Sequence, residues 1–284
     1  MSIRIPKAFP RMCARAGVVP KQHQLEGIRW MVEKERGEVG KVGGSGGSVG
    51  NTIPGGILAD DMGMGKTLQV LGTMVLNPVP TLIVVPVLLV DQWAEIFRTY
   101  LGHTPLVYHG YKKRVMDEDT FANAPVVITT YGTTVPNKKS MSPNLLFSRR
   151  WGRVVYDEAH RLRNCTTAVY HSAESLKTDR LWLVTGTLVQ NKIGDLRTLF
   201  RLIGVNVPTY IHLKVAMQQH VLRRQKNVGS APESSRVCVP WSRPREERSA
   251  QNVHAGVGKM TTARIRIFGS KEMDSVVEKV MCTR

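Results

Sequence analysis

The 284-residue chain has little cysteine and no spacing pattern in it: Cys13, Cys165, Cys238 and Cys282 include no C-x-x-C pair. That argues against a zinc site, and the wide scatter argues against a disulfide framework and for a reducing compartment. Long apolar runs are missing too. The longest, Thr81 to Val90, is too short to cross a bilayer as a helix, so no membrane partner is expected. The N-terminus carries Arg4, Lys7, Arg11 and Arg15 but no apolar stretch, and Pro6 and Pro10 interrupt it. It reads as a frayed basic segment, not a secretory signal. There is no internal repeat. Acidic residues are scarce beside basic ones: 22 Asp and Glu face 40 Lys and Arg, a net charge of +18. Such an excess suits a polyanion, because contacts to phosphates release counterions. A solvated basic surface with no partner is the plainer alternative.

An apolar content of 42% at this length supports one large domain, alone or with an extension. Residues 1–20 form the basic N-terminal segment. Gln24 to Lys34 has Leu25, Ile28 and Val32 at helical spacing. The stretch 36–51, "RGEVGKVGGSGGSVGN", reads as a flexible Gly/Ser insertion. From Gly56 onward, short apolar runs alternate with helical segments. "GGILADD", "TLIVVPVLLV", "PLVYHG", "APVVITTYG", "GRVVYDEAH" and "DRLWLVTGT" read as strands, and "DQWAEIFRTYL" as a helix opened by Asp91. This pattern predicts an α/β lobe over 21–206, a parallel sheet with helices on both faces, and ligands at the carboxyl ends of the strands. Beyond Val207 the alternation fades. Residues 207–284 read as a loosely ordered basic extension with a short helix near Met273 to Val280.

"GMGKT", Gly63 to Thr67, lies between a strand and a helix. Backbone N–H groups there can surround phosphates, and the helix N-terminus adds a favourable dipole. Lys66 would reach the β- and γ-phosphates of a nucleotide, and Thr67 would place its hydroxyl on Mg²⁺. Asp60 stands where the strict phosphate-loop pattern has Gly, so the match is partial; a Gly-rich turn without a ligand is the alternative.

"VVYDEAH", Val154 to His160, sets two carboxylates at the end of a buried strand. Asp157 is placed to hold Mg²⁺, and Glu158 to orient and deprotonate an attacking water. A lone acidic pair is usually a solvated turn; one that follows a phosphate loop and a buried strand points to an NTPase. "LVTGT", Leu183 to Thr187, closes another strand, with Gln190 beyond. Thr185 and Thr187 could bond to His160 or its neighbours and link nucleotide state to shape, or could form no more than a polar turn.

In order along the chain stand "QLEGIRWM" (24–31), "GGILADDMGMGKTLQ" (55–69), "TLIVVP" with Trp93, "VVITTYG" (126–132), "VVYDEAHRLRN" (154–164), "LVTGTLVQN" (183–191) and "VLRRQK" (221–226). This series resembles the first motor lobe of the Swi/Snf family of helicase-like, DNA-dependent ATPases in helicase superfamily two. "GGILADDMGMGKTL" and "RLRN" resemble its DNA-repair and lesion-tolerance subgroup. The resemblance implies a RecA-like P-loop lobe that uses ATP and Mg²⁺ on duplex DNA, in the nucleus or at a replication or repair site, including a viral one. It implies that Gln24 reads adenine, whose edge an amide can both donate to and accept from. It places ATP against Asp61, Met62, Gly63, Met64, Gly65, Lys66, Thr67 and Leu68, and matches Asp60 to the family's own acidic departure. Lys66, Asp157 and Glu158 match the catalytic positions. His160, Thr185, Gly186, Thr187 and Gln190 match the coupling positions. Pro86, Thr129, Thr130 and Tyr131 match positions along the DNA backbone. Leu188 departs from the family's usual Pro. Beyond Lys226 no second α/β lobe is read, so very slow turnover is expected unless a second-lobe partner supplies its arginines. A non-hydrolysing DNA- or protein-binding module, or half of a split motor, stays open as the alternative.

Overall fold

The computed structural model describes residues 8–37, 52–113, 115–136, 144–187 and 193–226. The Gly/Ser insertion from residue 38 onward, Leu188, Gln190 and the helix expected near Met273 to Val280 lie outside them. Among the described residues the six apolar runs give β1 Gly55–Leu58, β2 Thr81–Val85, β3 Leu106–Val107, β4 Val126–Thr130, β5 Arg153–Asp157 and β6 Leu181–Val184, and a seventh strand, β7 Val221–Leu222, follows. The helices among the described residues are α1 Ala8–Arg15, α2 Gln22–Glu35, α3 Lys66–Leu76, α4 Val90–Leu101, α5 Glu118–Asn123, α6 Tyr131–Thr134, α7 Ala168–Ser175, α8 Ile193–Leu202 and α9 Tyr210–His220. Every strand pair is parallel, in the order β3-β4-β2-β5-β6-β1-β7.

Strands β2 and β4 are buried along their whole length, as a sheet covered on both faces requires. One face packs Ile28 of α2, Leu71 of α3, Phe97 of α4 and Phe9 of α1 against Ile83, Val155 and Trp182. The other packs Tyr170 of α7, Leu199 and Phe200 of α8 and Leu213 of α9 against Val154 and Leu183. At the amino ends of the strands, a buried charge pair joins helix and sheet. Glu35, the last residue of α2, receives Arg153 Nε at 2.5 Å, Arg153 Nη2 at 2.6 Å, Trp182 Nε1 at 2.8 Å and Asn77 Nδ2 at 2.7 Å.

Four expectations need correction. The run Thr81 to Val90 is not one strand. Val85 ends it, because Pro86 has no N–H to continue a ladder, and Val87–Leu89 turn as a 3-10 helix with Leu88 92% exposed. Helix α4 starts at Val90 with Leu89 in the cap position; Asp91 lies inside the first turn, where its charge still suits the helix dipole. The N-terminal segment is not frayed from Ala8 on: Phe9, Met12 and Cys13 of α1 are buried against the α3 and α4 side of the sheet. Residues 207–226, read as part of the extension, supply α9 and β7, and β7 pairs with β1 through Ile57↔Val221 and Leu58↔Leu222. Two residues of strand are too few for an alternating pattern to show in the sequence.

Candidate active site

The parallel sheet delivers its functional loops to one edge at one level. Val184 is in register with both Leu58 and Asp157, and Val85 with Thr130. The phosphate loop after β1, the acidic pair after β5, the Thr-Gly-Thr turn after β6 and the Thr-Thr-Tyr segment after β4 therefore leave the sheet side by side.

The phosphate loop runs from Asp60 to Gly65. Gly63 and Gly65 have φ of 80° and 75°, the left-handed region that glycine enters without strain. A Cβ on Gly65 would sit 2.2 Å from Gln24 Nε2, whereas one on Gly63 would meet open space. Gly65 is the N-cap of α3 and no side chain bonds the free N–H groups of that helix's first turn. Lys66 Nζ rests on the carbonyls of Asp60 at 2.7 Å and Asp61 at 3.1 Å. Burial lowers the Lys66 pKa, while Asp60, Glu158, Asp157 and Asp61 oppose that shift through their charge. Thr67 is half-buried in the first turn, Leu68 is buried behind it, and Met62 is 71% exposed over the loop. Gln24, in the first turn of α2, donates from Nε2 to the Met64 carbonyl at 3.3 Å and accepts from Lys21 N at 2.9 Å. His23 Nε2 lies 3.1 Å from the same carbonyl.

Asp157 ends β5 with its carboxylate turned towards α4. Trp93 Nε1 donates to Oδ2 at 2.8 Å, and Glu158 N to Oδ1 at 3.1 Å. Burial raises its pKa, with the Trp93 hydrogen bond working against that shift. Glu158 has φ +56°, the left-handed non-glycine residue among those described. Strained backbone of this kind costs on the order of 1–3 kcal/mol and persists where surroundings hold it. Here it aims the carboxylate off the strand, 3.1 Å from His160 Nδ1.

An uncapped helix N-terminus, two left-handed glycines, a lysine and two carboxylates fit a nucleotide polyphosphate with a divalent cation. Thr67 and Asp157 are the oxygen donors that would hold Mg²⁺, a hard cation that takes such ligands.

The other expected positions fall as follows. Thr185 and Thr187 bond within their own turn: Thr185 Oγ1 donates to Thr187 O at 3.2 Å and accepts from Thr187 N at 3.1 Å. Among the described residues neither is seen bonded to His160. Gly186 closes that turn onto the phosphate loop, where a Cβ would lie 3.0 Å from Met62 Cγ and 3.5 Å from Lys66 Nζ. Pro86 is half-buried. The hydroxyls of the next three residues are committed inside the fold. Thr129 Oγ1 donates to Tyr108 O, Thr130 Oγ1 pairs with Thr133 Oγ1, and Tyr131 OH donates to Asp157 O at 2.7 Å.

Arg224, Gln69 and His23 carry no role in the sequence reading. In the structure, Asp60 is fully buried and bonded by Arg224 N, Nε and Nη2 and by Gln69 Nε2. The residue that spoiled the strict phosphate-loop pattern is thus the acceptor of a buried ion pair. The basic run "VLRRQK" was the available signal.

The profile of the SNF2-related domain matches residues 23–226. The chain belongs to the SNF2-related family. This SNF2-related domain is 30% identical over 218 residues to an uncharacterised ATP-dependent helicase of Schizosaccharomyces pombe, covering 67% of the chain and 20% of that helicase. It is 33% identical over 187 residues to the DNA repair protein rad8 of the same yeast, covering 53% and 16%. It is 34% identical over 183 residues to a protein of Orgyia pseudotsugata multicapsid polyhedrosis virus described as a global transactivator, covering 62% and 33%. The chain therefore spans between 16% and 33% of the length of these relatives. The Sulfolobus solfataricus SWI2/SNF2 ATPase core, solved in complex with dsDNA, superposes with a TM-score of 0.60 at 21% identity, over 78% of this chain and 47% of that one. That likeness confirms the RecA-like α/β fold expected from the sequence.

Proposed function

We propose that the SNF2-related domain is the ATP-binding lobe of a Swi/Snf-type, DNA-dependent ATPase that acts on duplex DNA and converts ATP and water to ADP and phosphate. The observation that carries this reading is the convergence of Lys66, Asp157 and Glu158 at one sheet edge, beside an uncapped helix N-terminus. Gln24 stands over the loop where an adenine edge would lie, and the backbone N–H groups from Gly63 to Thr67 take the phosphates. Lys66 exchanges its carbonyl partners for phosphate oxygens. Glu158 orients the water and accepts its proton. Thr67 and Asp157 hold Mg²⁺, which when bound supplies charge for the phosphates. His160 sits against Glu158, placed to sense the state of that carboxylate, with Gly186 closing on the loop. The net charge of +18 favours a polyanionic partner, and the ends of β2 and β4, at Pro86 and Thr129 to Tyr131, form the DNA side. We place the protein in the nucleus or at a replication or repair site. Among the described residues no helix is long and apolar enough to cross a membrane.

A second reading follows from where the arginines are. Arg224 is sequestered on Asp60, and an arginine acting on the transition state contributes about 10³–10⁵ in rate. A partner lobe is then needed for fast turnover, and the domain alone binds ATP but hydrolyses it slowly. The test is ATP binding and hydrolysis by the 284-residue chain with and without duplex DNA, using Lys66→Ala as the blank. Binding lost in Lys66→Ala supports the ATP site; turnover stimulated by DNA supports the motor. Binding equal in both proteins would sink the ATP reading.

A further inference from the structure

Beside the phosphate loop lies a buried charged cluster whose members take no part in the chemistry above. Arg224 is 7% exposed and joins the phosphate loop, α3 and α2. Its Nε and Nη2 hold the two oxygens of Asp60, its Nη2 also donates to Gln69 Oε1 at 2.8 Å, and its Nη1 donates to the His23 carbonyl. Asp60 opens the phosphate loop, Gln69 lies one turn past Lys66 on α3, and His23 precedes Gln24 on α2. Room for this cluster depends on Gly27, where a Cβ would lie 1.8 Å from Gln69 Oε1 and 2.8 Å from Arg224 Nη2.

The main chain repeats the arrangement. Ala59 N donates to Leu222 O at 2.7 Å, Asp61 N to Arg224 O at 3.0 Å, and Lys226 N to Asp61 Oδ2 at 3.1 Å. The carbonyls of Asp60 and Asp61 are those on which Lys66 Nζ rests. The stretch that holds the lysine is itself held by residues 222–226.

We infer that Arg224 is a positioning residue for the nucleotide site: through Asp60, Gln69 and the His23 carbonyl it keeps the phosphate loop, Lys66 and Gln24 in one register. This inference rests on the ATP reading. It makes order in the loop depend on docking of residues 222–226. Because such coupling is reciprocal, nucleotide on the loop must in turn tighten that segment. A residue that only stabilised the fold would show no such linkage.

The test uses the 284-residue chain, a fluorescent ATP analogue with Mg²⁺, and amide hydrogen exchange. Arg224→Lys keeps the charge but cannot make the forked set of bonds. It is expected to weaken analogue binding at least about tenfold, as loss of charge-assisted hydrogen bonds at the site implies. Arg153→Lys, at the opposite end of the sheet, lowers the melting temperature and leaves binding unchanged. In the wild type, the analogue slows exchange at Asp61, Arg224 and Lys226, and in Arg224→Lys this slowing disappears. Arg224→Ala is the harsher variant, and if it does not fold Arg224→Lys decides. A folded Arg224→Lys that binds within about twofold of wild type, or exchange at 222–226 indifferent to nucleotide, would overturn the inference while leaving the ATP reading intact. A wild-type signal no greater than that of Lys66→Ala would remove both.

Discussion

Replacing Arg153 by Met tests the buried pair at the amino ends of the strands. The side chain keeps an unbranched stem and loses its charged head. Glu35, fully buried, then retains only Trp182 Nε1 at 2.8 Å and Asn77 Nδ2 at 2.7 Å as close donors, with Arg180 Nε 3.9 Å away. Breaking a buried ion pair by removing one partner costs about 3–5 kcal/mol, because the remaining charge is uncompensated. With a urea m-value of about 3 kcal/mol/M, the midpoint of equilibrium unfolding should fall by about 1–2 M at constant m. The double variant Arg153→Met with Glu35→Gln removes that charge while a Gln oxygen still accepts from Trp182. It should recover all but about 1–2 kcal/mol, the cost of imperfectly satisfied polar groups. Nucleotide binding should not change in either. A single-variant loss below about 1 kcal/mol, or a double variant no better than the single, would refute the assignment of a buried, mutually dependent pair.

Three further outcomes are expected. Gly65→Ala forces a left-handed residue and drives its Cβ into Gln24, so stability should fall by about 1 kcal/mol and ATP-analogue binding by more than tenfold in a fluorescence titration. Glu158→Gly relieves a left-handed backbone at φ +56° and should raise the unfolding free energy by roughly 0.5–1 kcal/mol while abolishing whatever hydrolysis the wild type shows. Burial, reinforced by Lys34, lowers the His220 pKa to about 4 from 6.5. Between those values the unfolded chain binds the extra proton, so this stability is fully present above pH 6.5 and is lost as pH falls through that window towards 4. The urea midpoint should therefore drop from pH 7 to 4.5, and drop less in His220→Gln.

The strands, and the placing of "GMGKT" and "DEAH" at strand ends, were legible in the sequence because each is local. A buried parallel strand writes itself as a short apolar run, and "GMGKT" and "DEAH" carry their groups within a few positions of a strand end. What stayed hidden is set by contacts between distant residues. Glu35 and Arg153 are 118 positions apart, and Asp60 and Arg224 are 164 apart, so nothing local marks either pair. Helix α1 is short and polar on average, and only the groove offered by α3 and α4 makes Phe9 and Met12 core residues. The hydroxyls of Thr129, Thr130 and Tyr131 look free in sequence, but their partners come from Tyr108, Thr133 and Asp157. A strand continued through Pro86 was an overextension of apolarity past a residue that cannot donate.

The place of β1 in the sheet also bears on how the chain is made. It lies between β6 and β7, and its last partner follows 164 positions later, Val221 standing opposite Ile57. Non-local parallel pairing of this kind is slow, because loop-closure entropy must be met before any contact forms. During N-to-C-terminal synthesis, β2, β4 and β5 can pair while β1 still has neither neighbour. The phosphate loop is translated early, and the segment that holds it through Asp60 and Asp61 is translated late. A nascent chain shorter than about Lys226 would present a nearly complete sheet whose β1 side is still open, without the residues that hold Asp60 and Asp61.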